Sequence, residues 1–147
     1  MRRLLLAGLW TAVVAAAGAS DGRLNAVKTE PNLERRSELA LVYAGEVLTR
    51  LRPELETKTW AAVAPEVEEF RAAVDLSVAS LKATGKDARR SPKYFKRAEL
   101  KLRELSRRLK GLQALLGVED RPRMDEVIAY VERLQDELVD MTMGVRR

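Results

Sequence analysis

Residues 91–117, SPKYFKRAELKLRELSRRLKGLQALLG, decide the fold class. Phe95, Ala98, Leu102, Leu105, Leu109, Leu112 and Leu116 follow steps of three and four without a break. That spacing puts every one of them on one side of a helix and leaves the intervening residues for other surfaces. Ser91 reads as the N-cap and Pro92 as a first-turn residue, where the missing proline N–H costs nothing. Gly117 reads as the stop.

The same pattern extends in both directions. Downstream, a helix opens near Asp120 to Pro122 and carries Met124, Val127, Val131, Leu134, Leu138, Met141 and Val145. Upstream, a helix starting at Pro31 places Leu33, Ser37, Ala40, Ala44, Val47 and Leu51 on one face, widened by Leu41 and Leu48. Arg52-Pro53 marks its expected end, because a residue before proline avoids helical geometry. Between them Trp60, Val63, Val67, Phe70, Val74, Val78 and Leu81 share a face, and Thr84-Gly85 closes it. Pro65 falls inside that pattern, so this helix is either kinked there or divided there. No segment shows the period of two that a strand requires. The expected fold is all-α: a four-helix up-down bundle over residues 31–145, with short connections at Gly85 to Arg90 and Gly117 to Arg121 favouring antiparallel neighbours.

Two halves of this bundle resemble one another. PNLERRSELAL from Pro31 aligns with PKYFKRAELKL from Pro92 at an offset of 61, with Arg36/Arg97, Glu38/Glu99, Leu39/Leu100, Leu41/Leu102, Leu48/Leu109 and Leu51/Leu112 identical. The following helices align at an offset of 60, where Glu66-Val67 meets Glu126-Val127 and Phe70 meets Tyr130. Leucine matches between amphipathic helices carry little information. The shared proline, the Arg-x-Glu-Leu-x-Leu string and the aromatic match point to two duplicated helical hairpins.

The N-terminus reads as a bacterial-type export signal. Arg2 and Arg3 precede the uncharged run Leu4 to Ala17, and Ala17-Gly18-Ala19 offers a small-residue cleavage site. The run is too short for a spanning anchor, which needs about 20 apolar residues. Residues 1–19 are therefore expected as signal peptide, 20–30 as a flexible leader without sustained period, and the product as periplasmic or extracellular rather than a stable transmembrane protein. Removing Arg2 and Arg3 from 27 Lys and Arg leaves 25 against 22 Asp and Glu, a formal +3. That mild charge does not by itself select a polyanion partner, despite a whole-chain pI of about 9.7.

Composition excludes much chemistry. The sequence holds neither histidine nor cysteine, which removes the common nucleophilic triads, thiolate chemistry, disulfides and the usual transition-metal ligands. The 8 glycines never cluster into a phosphate cradle, and no calcium loop is visible. Glu66, Glu68 and Glu69, or Glu132, Asp136 and Asp140, are the only paired-carboxylate candidates, and acids at such spacings ordinarily form a solvated helix face. No catalytic residue, metal or cofactor is expected. Tyr43 and Trp60 fit core or half-core positions better than exposed anchors.

One charge arrangement stands out. Arg89, Arg90, Lys93, Lys96, Arg97, Lys101, Arg103, Arg107, Arg108 and Lys110 are opposed only by Glu99 and Glu104, whereas the segment from Glu119 to Asp140 is acidic. A basic helix followed by an acidic one is expected to pair across the hairpin, where complementary charge sets partner choice more than stability. The expected function is that of an exported, non-enzymatic interaction or scaffolding protein of the cell envelope, with itself or an envelope protein as partner. The alternative is a binder of anionic glycan or lipid, using Lys93, Arg97, Lys101 and Arg108. Nucleic acid is not an expected partner of an exported chain.

Overall fold

The computed structural model describes residues 17–145, with side chains from Gly22 onward. These residues form helices α1 (Ala17–Lys28), α2 (Leu33–Thr57), α3 (Trp60–Ala83), α4 (Lys93–Gln113) and α5 (Arg121–Met143), and no strand. The expected signal peptide lies almost wholly outside the described residues. The expected leader does not: residues 20–28 belong to α1. Its periodicity is invisible in sequence because the contact with α2 is carried mainly by one apolar residue, Leu24, which is buried. Arg23 adds an ion pair to Glu46 at 2.6 Å and stands 5.6 Å from the centre of the Tyr43 ring.

α2 and α3 pack along their length across a connection of Lys58 and Thr59, and α4 and α5 form a second hairpin. Neither internal proline ends its helix. α2 runs through Pro53 to Thr57, and α3 runs unbroken through Pro65. Both prolines lie on exposed positions, where water can satisfy the carbonyl that each leaves without an N–H. Beyond Pro53, Leu55 is buried and holds the last turn of α2 to the core.

Helix ends differ from expectation by a few residues. α2 is capped by Asn32, whose Oδ1 accepts from the Arg35 N–H at 2.9 Å. α4 is flanked by Pro92 without a side-chain cap and ends at Gln113, before Gly117. There Leu115 and Leu116 N–H groups turn back to the Leu112 and Gln113 carbonyls, so the end tightens without a left-handed glycine. Gly85 and Gly144 do take that role, at φ 67° and 73°.

The hydrophobic faces are largely those expected. Ala40, Leu41, Ala44, Val47, Leu48 and Leu51 of α2, Val63, Val67, Phe70, Val74, Val78 and Leu81 of α3, and the whole stripe from Phe95 to Leu116 are buried. Tyr43 is core, and Trp60 is half-buried against it. A hydroxyl pair, Ser37 and Ser77, joins α2 to α3 inside this core at 2.7 Å, one donating to the other. α5 departs from its expected stripe. Met124, Val127, Val131 and Leu138 are buried, with Ile128 beside them, but Leu134 and Met141 are half-buried and Val145 is exposed.

Burial follows the internal register most closely in the first helix of each hairpin. At offset 61, Leu41/Leu102, Ala44/Leu105, Leu48/Leu109, Leu51/Leu112 and Leu55/Leu116 are buried pairwise. The second helices agree at 61 as well: Val63/Met124, Val67/Ile128 and Phe70/Val131 are buried in both. The expected offset of 60 also pairs buried residues, Val67 with Val127 and Val78 with Leu138, while Phe70 and Val74 meet the half-buried Tyr130 and Leu134. Beyond Phe70 the offset of 61 sets buried Val74, Val78 and Leu81 against half-buried Gln135, Val139 and Thr142, so burial in the second helices follows both spacings in part.

The two hairpins meet chiefly through α2 and α4. Glu38 meets Arg97, and Gly45 and Thr49 meet Arg108, so residue numbers rise together along this seam. α2 and α4 therefore run parallel, whereas the partners within each hairpin are antiparallel.

Candidate interaction surface

α4 is amphipathic around a leucine stripe, and its cations fall at different angles from that stripe. Those near its α2 side are engaged. Arg97 Nη1 pairs with Glu38 at 2.9 Å. Arg108 Nη2 donates to the Gly45 carbonyl at 3.0 Å and to Thr49 Oγ1 at 2.9 Å, while that hydroxyl donates to the same carbonyl at 3.1 Å. Gly45 is buried here, and a methyl group in its place would lie 3.2 Å from the Arg108 guanidinium. Lys101 pairs with Glu104 at 2.9 Å, and Lys93 lies 5.3 Å from the centre of the Tyr94 ring. Arg97 also faces Tyr94, at 5.6 Å.

Of the expected anion-binding residues, Arg97 and Lys101 thus line one groove between α2 and α4, with a volume of about 310 Å³ and a floor that includes Leu41, Val42 and Ala98. Arg108 lies farther along the seam, in contact with α2, and Lys93 stands at the helix start. The four do not converge on a point.

The acids of α5 are not their partners. Lys110 is the cation of α4 that reaches an acid of α5, pairing with Glu132 at 2.6 Å. Ser106 donates to the same carboxylate at 3.1 Å. The Lys110 and Ser106 bonds hold Glu132 below the usual carboxylate range, against a smaller opposing effect of burial. Otherwise the α4–α5 contact uses amides: Gln135 donates to Glu99 at 3.0 Å, and Gln113 donates to Asp125. The expected pairing of a basic helix with an acidic one is therefore corrected to one α4–α5 ion pair among the described residues, because α4 turns its cation-bearing flanks toward α2 and toward solvent.

The solvent side holds what sequence reading missed. Lys96, Leu100, Arg103 and Arg107 follow steps of four, three and four on the side of α4 opposite the leucine stripe. All four are exposed, Leu100 at 57%. Arg103 pairs with Glu99 at 2.6 Å, whereas Lys96 and Arg107 have no ion pair among the described residues. Helical-wheel spacing was the available signal, hidden because the cations were counted along the chain and not around it.

A second polar cluster lies on the α2–α3 hairpin. Arg50 stands 5.8 Å from the centre of the Tyr43 ring and pairs with Glu69 at 3.5 Å. Lys58 holds Glu54 below its ordinary range at 2.9 Å, with a smaller contribution from Glu66. Burial, then the neighbouring Glu54 carboxyl, pushes Glu66 upward. Among the described residues no group of acids is arranged to hold a metal ion.

No protein-family model matches the chain, and neither curated proteins nor solved structures give a match. No helix among the described residues is long and apolar enough to cross a membrane.

Proposed function

We propose that this chain is an exported, non-enzymatic interaction or scaffolding protein of the cell envelope. In this reading a signal peptide ending at Ala19 precedes a four-helix up-down domain built from two related hairpins. The observation that carries it is the use of charge at the α2–α4 seam. Arg97 and Arg108, which sequence offers as anion ligands, are tied to Glu38, Gly45 and Thr49 of the same molecule. Cations committed in this way fix how the hairpins dock, which suits a rigid helical body that presents surfaces to other proteins. The export part of the reading rests on Arg2, Arg3, the apolar run to Ala17 and the Ala17-Gly18-Ala19 site.

The test is recovery of the full-length gene product from the envelope fraction with mass measurement and crosslinking. A mass starting near Ser20, with a protein crosslinked in defined stoichiometry, supports the proposal. A product that retains Met1 in the cytoplasmic fraction overturns export, and a product without any crosslinked protein overturns the scaffold.

A further inference from the structure

We infer that the outward face of α4 is a docking surface for an anionic lipid bilayer, formed by Lys96, Leu100, Arg103 and Arg107. This goes beyond the scaffold reading and does not depend on it. It also moves the anion-binding surface away from Arg97, Lys101 and Arg108, which lie toward α2, to a stripe that keeps only Lys93 of the residues suggested by sequence at its end.

The first argument is charge. Lys96 and Arg107 have no ion pair among the described residues, and both are exposed. Arg90 and Lys93, also exposed, extend the positive surface at the N-terminal end of α4. The acids nearest the stripe are already engaged: Glu99 by Arg103, with its side chain only 12% exposed, and Glu104 by Lys101. On α5 the exposed charges are mixed, Asp125, Glu126 and Asp136 beside Arg121, Arg123 and Arg133, so the concentrated positive surface is that of α4.

The second argument is shape and polarity. Lys96 to Arg107 spans eleven residues of straight helix, about 16 Å, so the side chains reach a plane together. Leu100 sits in the middle of that row and is 57% exposed. A glycan chain gains nothing from an isolated leucine among cations. A bilayer does, because the leucine can enter the acyl boundary while the flanking cations stay at headgroup level. That difference favours lipid over a soluble polyanion as the occupant.

Each cation near an anionic leaflet strengthens partitioning by about fivefold, and salt weakens the effect within a Debye length. The experiment is flotation of the full chain with vesicles of phosphatidylcholine alone or mixed with phosphatidylglycerol. The difference between the two vesicle types removes any apolar contribution of the N-terminus, and the variants separate the α4 surface from the charge of Arg2 and Arg3. Wild type should prefer the anionic vesicles, and the preference should fall steeply with added salt. Lys96→Glu with Arg107→Glu should reduce it by more than about tenfold at an unchanged melting temperature. Should that reversal lower the melting temperature, Lys96→Gln with Arg107→Gln supplies the same comparison. Leu100→Ser, which leaves the charge intact, should weaken vesicle binding and leave heparin retention unchanged.

Equal partitioning of wild type to both vesicle types overturns the inference, as does a folded double variant that binds like wild type. Strong heparin retention with no effect of Leu100→Ser on vesicles overturns the lipid assignment in favour of a soluble polyanion. None of these results bears on the scaffold reading, which stands or falls on the crosslinked partner.

Discussion

On the flank of α4 that meets α2, Arg97 bonds Glu38 and Arg108 reaches across to Gly45 and Thr49. On the outward side, Lys96 and Arg107 meet neither acid nor carbonyl among the described residues. All four are long cations within residues 96–108 of one helix, and their chemistry is set by angle from the leucine stripe. Beside the stripe, Arg108 is half-buried against the neighbouring helix, while Arg97 makes its ion pair across the seam at an exposed position. A cation opposite the stripe remains hydrated and is free to be used by something outside the molecule.

The largest effect that can test this geometry lies in the stripe itself. Leu105→Asp puts a carboxylate at a fully buried position and should cost about 3–5 kcal/mol or prevent folding. Leu134→Asp should cost about half as much, because Leu134 is only half-buried. Equal losses in equilibrium denaturation would mean that α5 is as enclosed as α4.

Arg108→Ala comes next. It removes two hydrogen bonds from the seam and should lower stability by about 1–2 kcal/mol. The loss should vary little with salt, because the acceptors are a carbonyl and a hydroxyl. A loss that disappears in salt would show that Arg108 acts only as a surface charge.

Smaller still is the effect of pH on the α2–α3 hairpin. The Glu66 carboxyl titrates above its unfolded value, chiefly through burial, so its folded form holds a proton more readily. Stability from this group is present at pH below the unfolded value and declines as pH rises through the folded value. Glu132 has the opposite sign: its contribution is present above the unfolded value and is lost as pH falls through the folded one. Glu66→Gln should therefore leave acid stability unchanged and raise the melting temperature slightly at neutral pH. A lower melting temperature at neutral pH would contradict that assignment.

Much of the architecture was legible because burial follows a simple period. The α4 stripe appears in sequence as steps of three and four, and each residue of it is buried. What escaped has identifiable causes. α1 has Leu24 as its main apolar anchor, too little for a period to register. Local sterics make Pro53 look like a helix end and Pro65 like a kink or a division, whereas burial of Leu55 and Val67 beyond them holds the continued helices to the core. The candidate site was legible in residue type but not in place. A count of cations along residues 89–110 mixes those facing α2 with those facing water; their angle around the helix separates them, and the packing of α2 shows which side is engaged.

The most direct test of that separation compares two variants with the same change in net charge on the same helix. One carries Arg97→Glu and Arg108→Glu, the other Lys96→Glu and Arg107→Glu, and both are followed by equilibrium urea denaturation. Reversal on the α2 side places carboxylates against Glu38 and the Gly45 carbonyl, and should cost about 2–4 kcal/mol. Reversal on the outward side should change stability by less than about 0.5 kcal/mol. Equal destabilisation by the two pairs, or a greater loss from the outward pair, would contradict the account.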